Sequence, residues 1–135
     1  MIIKQKWIMR EDLQNNPDFT YVFGDNLRRQ GMGGQAKEMR NEPNAVGVAT
    51  KKSPSNDPTA FFTDDEFNLN CITILNDFSP VIKKIMDGGV IVIPADGLGT
   101  GLSALEEHAP RTNKALNDIL SYIIELDQRL NEDSV

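Results

Sequence analysis

Two glycine-rich segments contain the residue types that bind a negatively charged ligand. The first reads Gly31-Met32-Gly33-Gly34-Gln35-Ala36, and the second reads Leu98-Gly99-Thr100-Gly101-Leu102-Ser103. Glycine lets the backbone approach a ligand closely, and neighbouring free N–H groups form a site for phosphate oxygens. The first segment lacks the Gly-x-Gly-x-x-Gly spacing of a dinucleotide fold and the Gly-Lys-Ser/Thr of a P-loop. The two segments predict a phosphate site of another kind, and the alternative for each is a tight turn.

A third segment, Thr50-Lys51-Lys52, adds two amines to these candidates. A lysine at the mouth of a phosphate-lined cleft can pair with the anion or, when it is desolvated, act as an amine nucleophile toward a sugar. The alternative is that two adjacent lysines are ordinary solvated charge. The single histidine, His108, has no partners at metal-ligand spacing and is expected on the surface. We predict no metal site and no cofactor.

Short apolar runs alternate with longer amphipathic segments along the chain. Strands are expected over residues 2–7, 20–23, 45–50 and 90–93, and helices over 10–15, 35–41, 64–86 and from 110 onward. We expect Asp64 or Asp65 to cap the third helix, and Pro80 to kink or interrupt it. The last residues, 131–135, are expected to fray.

This alternation predicts one α/β domain over residues 1–135. Helices should cover both faces of a mixed, mostly parallel sheet, which makes a three-layer sandwich. Ligands bind at the carboxyl ends of the strands in such sheets. Each candidate segment follows a predicted strand, so we expect the three segments to form one cleft.

The composition excludes several classes of protein. With 135 residues, 39% of them hydrophobic, the chain has room for one globular core. A formal net charge of −6 argues against nonspecific nucleic-acid binding. Cys71 is the single cysteine, and no leader-like segment or apolar run of membrane-spanning length is present, so we expect a cytoplasmic protein without a membrane partner.

The two glycine-rich segments resemble those of macrodomains, which bind ADP-ribose in an α/β/α fold. The likeness rests on Val90-Ile91-Val92-Ile93-Pro94 followed by Leu98-Gly99-Thr100-Gly101-Leu102, and on the 31–36 segment. It extends from about Tyr21 to the C-terminal helix. Within the family, Thr50-Lys51-Lys52 is most similar to the strand end of the branch that includes the terminal ADP-ribose glycohydrolase.

The resemblance implies roles for individual residues. Lys51 would attack the distal ribose, while Asn26, with Asp25 as a second candidate, would face that ribose. Asp12 is the candidate for the adenine-side aspartate. The other residues implied to bind ligand, mainly through the diphosphate loop and the glycine segment opposite it, are Gly31, Met32, Gly33, Gly34, Gln35, Ala36, Thr50, Leu98, Gly99, Thr100, Gly101, Leu102 and Ser103.

The implied function is binding of ADP-ribose or an ADP-ribosylated macromolecule, with hydrolysis of an ADP-ribose derivative. The glycohydrolase branch has an aspartate directly after the diphosphate loop, where this chain has Ser103. Candidates to replace that aspartate are Glu106, Glu107, Asp25 and Asp96. The alternatives are a non-catalytic reader or sequestering module, and a scaffold with incidental glycine turns. The resemblance also indicates a stand-alone bacterial or phage protein.

Overall fold

A computed structural model describes residues 1–133 and has an α/β fold of four strands and five α-helices within that range. The strands are β1 (Ile2–Gln5), β2 (Thr20–Asn26), β3 (Ala45–Lys51) and β4 (Ile91–Pro94). The helices are α1 (Arg10–Asn15), α2 (Ala36–Met39), α3 (Phe67–Met86), α4 (Leu105–His108) and α5 (Pro110–Asp133). Short 3-10 turns at Pro58–Ala60 and Asp64–Glu66 precede α3.

The four strands form one sheet in the order β1-β4-β2-β3, and every pairing between them is parallel. We predicted a mixed sheet, and this part of the prediction is wrong for residues 1–133. The reason is that each connection between consecutive strands contains a helix, which returns the chain to the same edge of the sheet before the next strand begins. All four carboxyl ends therefore lie at one edge.

Alternating side chains of the central strands enter two different cores, one on each face of the sheet. Val22 packs with residues of α3 and α5, whereas its neighbours Tyr21 and Phe23 pack with residues of α1 and α2. The same alternation occurs in β4, where Val92 lies on the α1–α2 side. A sheet covered on both faces explains why these strands are continuous apolar runs.

The helices differ from the sequence prediction at three points. Of the two predicted effects of Pro80, the interruption is absent: α3 continues through the proline, because Ile74, Phe78 and Val81 on either side of it are fully buried in the core. The last helix extends to Asp133, past the point where the sequence predicts that the tail begins, and residues 134–135 lie outside the described range. Asp64 does not cap α3: both its carboxylate oxygens accept hydrogen bonds from the first turn of α5.

Candidate functional site

The carboxyl edge of the sheet contains a cleft with two adjoining compartments. One has a volume of about 210 Å³ and the other about 230 Å³. Gly24, Gly33, Leu102 and Ser103 line both compartments and form the boundary between them. Leu102 lies so close over Gly33 that a Cβ atom on this glycine would come within 2.7 Å of the leucine side chain. The two glycine-rich segments thus meet across the cleft, as the sequence predicts.

Both glycine-rich segments line the cleft and have backbone N–H groups without hydrogen-bond partners. No N–H group of residues 31–35 or 99–103 donates a hydrogen bond to another group in the described part of the chain. Gly99 has a φ of +75°, and a Cβ atom there would lie 3.1 Å from Leu105, so the loop requires glycine at this position. Runs of free N–H groups on such loops are suited to an anion.

A β-bulge places the lysine at the cleft. Residues of β2 and β3 pair regularly up to Asp25 opposite Ala49, but Asn26 then lies opposite Lys51. Thr50 is therefore one extra residue at the end of β3, and a bulge re-aims the side chains around it. As a result, Thr50 Oγ1 lies 2.7 Å from Ser103 Oγ, while Lys51 lines the second compartment.

Lys51 is buried but unpaired. Only 4% of its surface is exposed, and its ammonium makes no ion pair or hydrogen bond within residues 1–133. Its Nζ lies 4.6 Å from the ring centroid of Phe61. Fully enclosed polar side-chain atoms in this range all have hydrogen-bond partners, so the unpartnered ammonium is not fully enclosed. Lys51 lines the second compartment, which is therefore open to it. Burial lowers the pKa of Lys51 from its ordinary value of 10.5.

Lys52 has the opposite environment. Its Nζ lies 2.6 Å from Glu66 Oε1, and both side chains are partly exposed. Lys52 is therefore an ordinary solvated charge, as the alternative interpretation expected. Lys51, in contrast, can bind a ligand or react with it.

Asp25 lines the second compartment as an ion-paired carboxylate. Arg40 Nη2 lies 2.5 Å from its Oδ1, Arg29 Nη1 lies 3.7 Å from its Oδ2, and the N–H of Asn26 also donates to it. Arg40 additionally donates to the carbonyl of Gly31 at 2.6 Å, which holds the first glycine segment in place. These contacts give Asp25 a structural role and occupy the oxygens that a catalytic base would need.

Asn26 and Ser103 are also engaged by neighbouring groups. The Asn26 side chain donates to the carbonyl of Gln30 and accepts from the N–H of Arg28, so it shapes the turn that begins the first glycine segment. The Ser103 hydroxyl bonds to Thr50, whose own hydroxyl lies 3.3 Å from the carbonyl of Asp25. Both Asn26 and Ser103 nevertheless line the second compartment.

Most of the residues singled out in the sequence come together here. Thr50 lies behind the cleft wall, and Asp12 lies outside the cleft: its carboxylate accepts from the N–H of Met9 at the start of α1 and from Gln5. Of the candidates to replace the missing aspartate, Glu106 and Glu107 line neither compartment, whereas Asp96 lines the first. His108 is exposed, as predicted, and stacks on Phe61 at 4.0 Å between ring centroids.

Sequence reasoning missed several residues that line the cleft, namely Lys6, Trp7, Gly24, Arg40 and Pro54. It also missed Phe61, whose ring lies against Lys51. Trp7 could have been found, because it is the last residue of the first predicted strand and the carboxyl-end rule applies there too. Arg40 and Phe61 had no such signal, since the tertiary fold brings them to the cleft from a helix end and a loop.

A family model matches residues 3–119 of the chain, and its description is "Family of unknown function (DUF7831)". The chain belongs to DUF7831. The matched span includes every residue that lines the two compartments, so the cleft lies within the DUF7831 domain. No curated protein and no solved structure matches the chain significantly.

Within its described residues, this DUF7831 protein has no helix that is both long and apolar enough to span a bilayer. The same residues contain no group of three or more His, Cys, Asp or Glu side chains arranged to hold a metal ion.

Proposed function

We propose that the protein binds ADP-ribose or an ADP-ribosyl group in a macrodomain-like α/β/α sandwich and hydrolyses an ADP-ribose derivative. The observation that carries the proposal is that two runs of unpaired N–H groups and the unpaired ammonium of Lys51 border one cleft. The N–H groups suit a diphosphate, and the lysine suits a sugar next to it. ADP-ribose, the ligand that the resemblance to macrodomains implies, contains both a diphosphate and an adjacent sugar.

The arrangement of the compartments suggests how such a ligand would lie. The diphosphate would lie along the N–H groups of residues 99–101, facing Gly33 and beneath Leu102. The distal ribose would then enter the second compartment, which contains Lys51 and Asn26. The base would extend to the opposite end of the first compartment.

Lys51 has the properties of a nucleophile in this arrangement. Its lowered pKa increases the fraction of neutral amine, which is the reactive form. The amine would form a bond to the anomeric carbon of the distal ribose as the bond to the leaving group breaks, and its proton would pass to that group. Water would then release ADP-ribose and regenerate the lysine. Direct attack by a water held by Asn26 is the alternative route.

The binding step is tested by calorimetric titration with ADP-ribose. A Cβ atom at Gly101 would meet nothing within 4 Å, so Gly101→Ala is a control that should bind like the wild type. Gly101→Glu adds a carboxylate beside the diphosphate and should weaken binding at least about a hundredfold, because like charges repel in a partly desolvated site. The absence of binding heat with the wild type would overturn the proposed function.

The chemical step is tested with a mono-ADP-ribosylated protein and catalytic amounts of this chain. The wild type should release ADP-ribose over many turnovers, whereas Lys51→Met should slow release at least about a hundredfold while still binding ADP-ribose. The rate should rise with pH through a pKa below 10.5, because the neutral amine attacks. A wild-type rate that Lys51→Met leaves unchanged would exclude the lysine mechanism.

A second candidate function is a reader or sequestering module without turnover. The observation in its favour is that Asp25, the only carboxylate lining the second compartment in the described structure, is ion-paired with Arg40. Ser103 stands where the glycohydrolases that the chain resembles have their aspartate. Tight ADP-ribose binding by the wild type, with no release from modified protein, would identify the protein as a reader.

A further inference from the structure

Trp7 forms an aromatic wall at one end of the first compartment. It lies directly after β1 and is 50% exposed, although it is one of the largest apolar side chains in the chain. Single exposed apolar residues are common on protein surfaces and need no explanation. This one borders a cleft that is also lined by Gly33, Gly34, Gly99 and Gly101 of the two glycine-rich segments.

The backbone around Trp7 is held firmly on both sides. Gln5 Nε2 donates to the carbonyl of Trp7 at 3.2 Å and is itself held by Asp12 at 2.8 Å. The side-chain amide of Gln35 makes two bonds to the backbone of Ile8, one of 2.8 Å from the N–H and one of 2.9 Å to the carbonyl. The side chain is thus presented from a fixed position, which lowers the entropic cost of a contact with a ligand.

Few polar side chains at this end of the cleft are free to form hydrogen bonds with a ligand. Both polar atoms of the Gln35 amide are already hydrogen-bonded to Ile8, so this side chain has little remaining capacity to hydrogen-bond a ligand. Lys6 and Asp96 are the charged residues that line this compartment in the described part of the chain. The half-exposed indole ring of Trp7 is the aromatic surface that lines this compartment, and it suits a flat aromatic group.

We propose that Trp7 is the platform on which the nucleobase of the bound ligand stacks. This inference rests on the proposed function, because that function supplies a nucleotide whose diphosphate lies along residues 99–101. The base then extends away from Lys51, toward β1. Stacking is tolerant of the identity of the base, so affinity at this end comes mainly from ring overlap.

The wild-type protein carries its own probe for this contact, since Trp7 is its only tryptophan. The emission of Trp7, excited where tyrosine does not absorb, should be quenched by ADP-ribose and by ADP at concentrations that saturate the site. Ribose 5-phosphate, which lacks a base, should leave the emission unchanged at any concentration. Unchanged emission at ADP-ribose saturation would overturn the inference.

Calorimetry on variants gives an independent measurement. Trp7→Leu should weaken ADP-ribose binding about tenfold, the loss expected for one base–aromatic stack, while Trp7→Phe should stay close to the wild type. Tyr122→Leu is the matched control, because Tyr122 is a similarly exposed aromatic residue that lines neither compartment. Thermal unfolding of each variant checks that the fold is kept.

The outcomes separate the two proposals. If ADP-ribose binds the wild type and Trp7→Leu equally well, the stacking inference is wrong and the proposed function stands. If ADP-ribose gives no binding heat with the wild type, the proposed function fails and the inference fails with it. Weaker binding by Trp7→Leu but not by Trp7→Phe or Tyr122→Leu would support both.

Discussion

Lys51 and Lys52 are adjacent in the sequence but have opposite physical environments. The bulge at Thr50 turns Lys51 into the cleft, where it is buried without an ion partner, while Lys52 reaches Glu66 at the surface. A buried, unpaired ammonium destabilises a fold, because its charged form loses hydration without compensation. Sites that keep such a group commonly trade stability for function.

This cost is measurable as a change in the free energy of unfolding. Lys51→Met should raise it by about 1 kcal/mol at neutral pH, because the thioether keeps the contact with Phe61 and removes the charge. The pKa of Lys51 is below 10.5 in the folded state, so the unfolded chain holds more protons between the two values and wild-type stability rises with pH there. The advantage of the variant should therefore shrink as the pH approaches 10.5.

The measurement is urea unfolding of both proteins across that pH range. Lys52→Met is the matched control, and it should give no gain, because its ammonium is partly solvated and paired with Glu66. A loss of stability in Lys51→Met at neutral pH would contradict the argument.

At the scale of elements, the start of α5 depends on a residue far away in the sequence. Asp64 accepts hydrogen bonds of 2.9 Å each from the N–H of Arg111, from the N–H of Thr112 and from the hydroxyl of Thr112. The first N–H groups of a helix have no partner within it, so Asp64 caps α5 across the fold. Burial raises the pKa of this carboxyl, but these hydrogen bonds outweigh it and lower the pKa below its usual 3.8.

Asp64→Ala should lower the free energy of unfolding by about 1 to 2 kcal/mol at neutral pH, through loss of this cap. Because the pKa of Asp64 is depressed in the folded state, its contribution is present above pH 3.8 and is lost as the pH falls through the folded value. The difference between wild type and variant should shrink in that acidic range. Asp65→Ala, which removes an exposed carboxylate with no such contacts, is the control for denaturant unfolding.

At the scale of the molecule, charge is unevenly distributed along the chain. Residues 1–52 contain nine Lys and Arg against six Asp and Glu, and the rest contain five against fourteen. The first part supplies Lys6, Arg40 and Lys51 to the cleft, which has only Asp25 and Asp96 as carboxylates among the described residues. The cleft is thus locally positive in a protein of net charge −6.

This distribution predicts a salt-dependent affinity for an anionic ligand. Raising the salt from about 0.05 M to about 0.5 M should weaken ADP-ribose binding several-fold, because screening reduces the attraction of the cleft for the diphosphate. Adenosine, which has no phosphate, should bind with little dependence on salt. Calorimetric titrations at both salt concentrations provide the measurement, and equal salt dependence for the two ligands would contradict the prediction.

Much of the architecture could be read from local patterns. The apolar runs located all four strands, and the boundaries of α1 and the start of α5 agree with prediction. The sequence also predicted that both glycine segments and Lys51 lie at one cleft, because parallel strands bring their carboxyl ends to one edge of the sheet. Periodicity and turn chemistry act over a few residues, so one chain is enough to reveal them.

The sequence by itself determined the α/β class, the glycine loops and the presence of a lysine at the end of β3. Only the tertiary structure decided that Thr50 bulges, that Asp25 is ion-paired with Arg40 and that Asp64 caps α5. Each of these depends on contacts between segments distant in sequence. Such contacts arise from packing, which leaves no periodic trace along the chain.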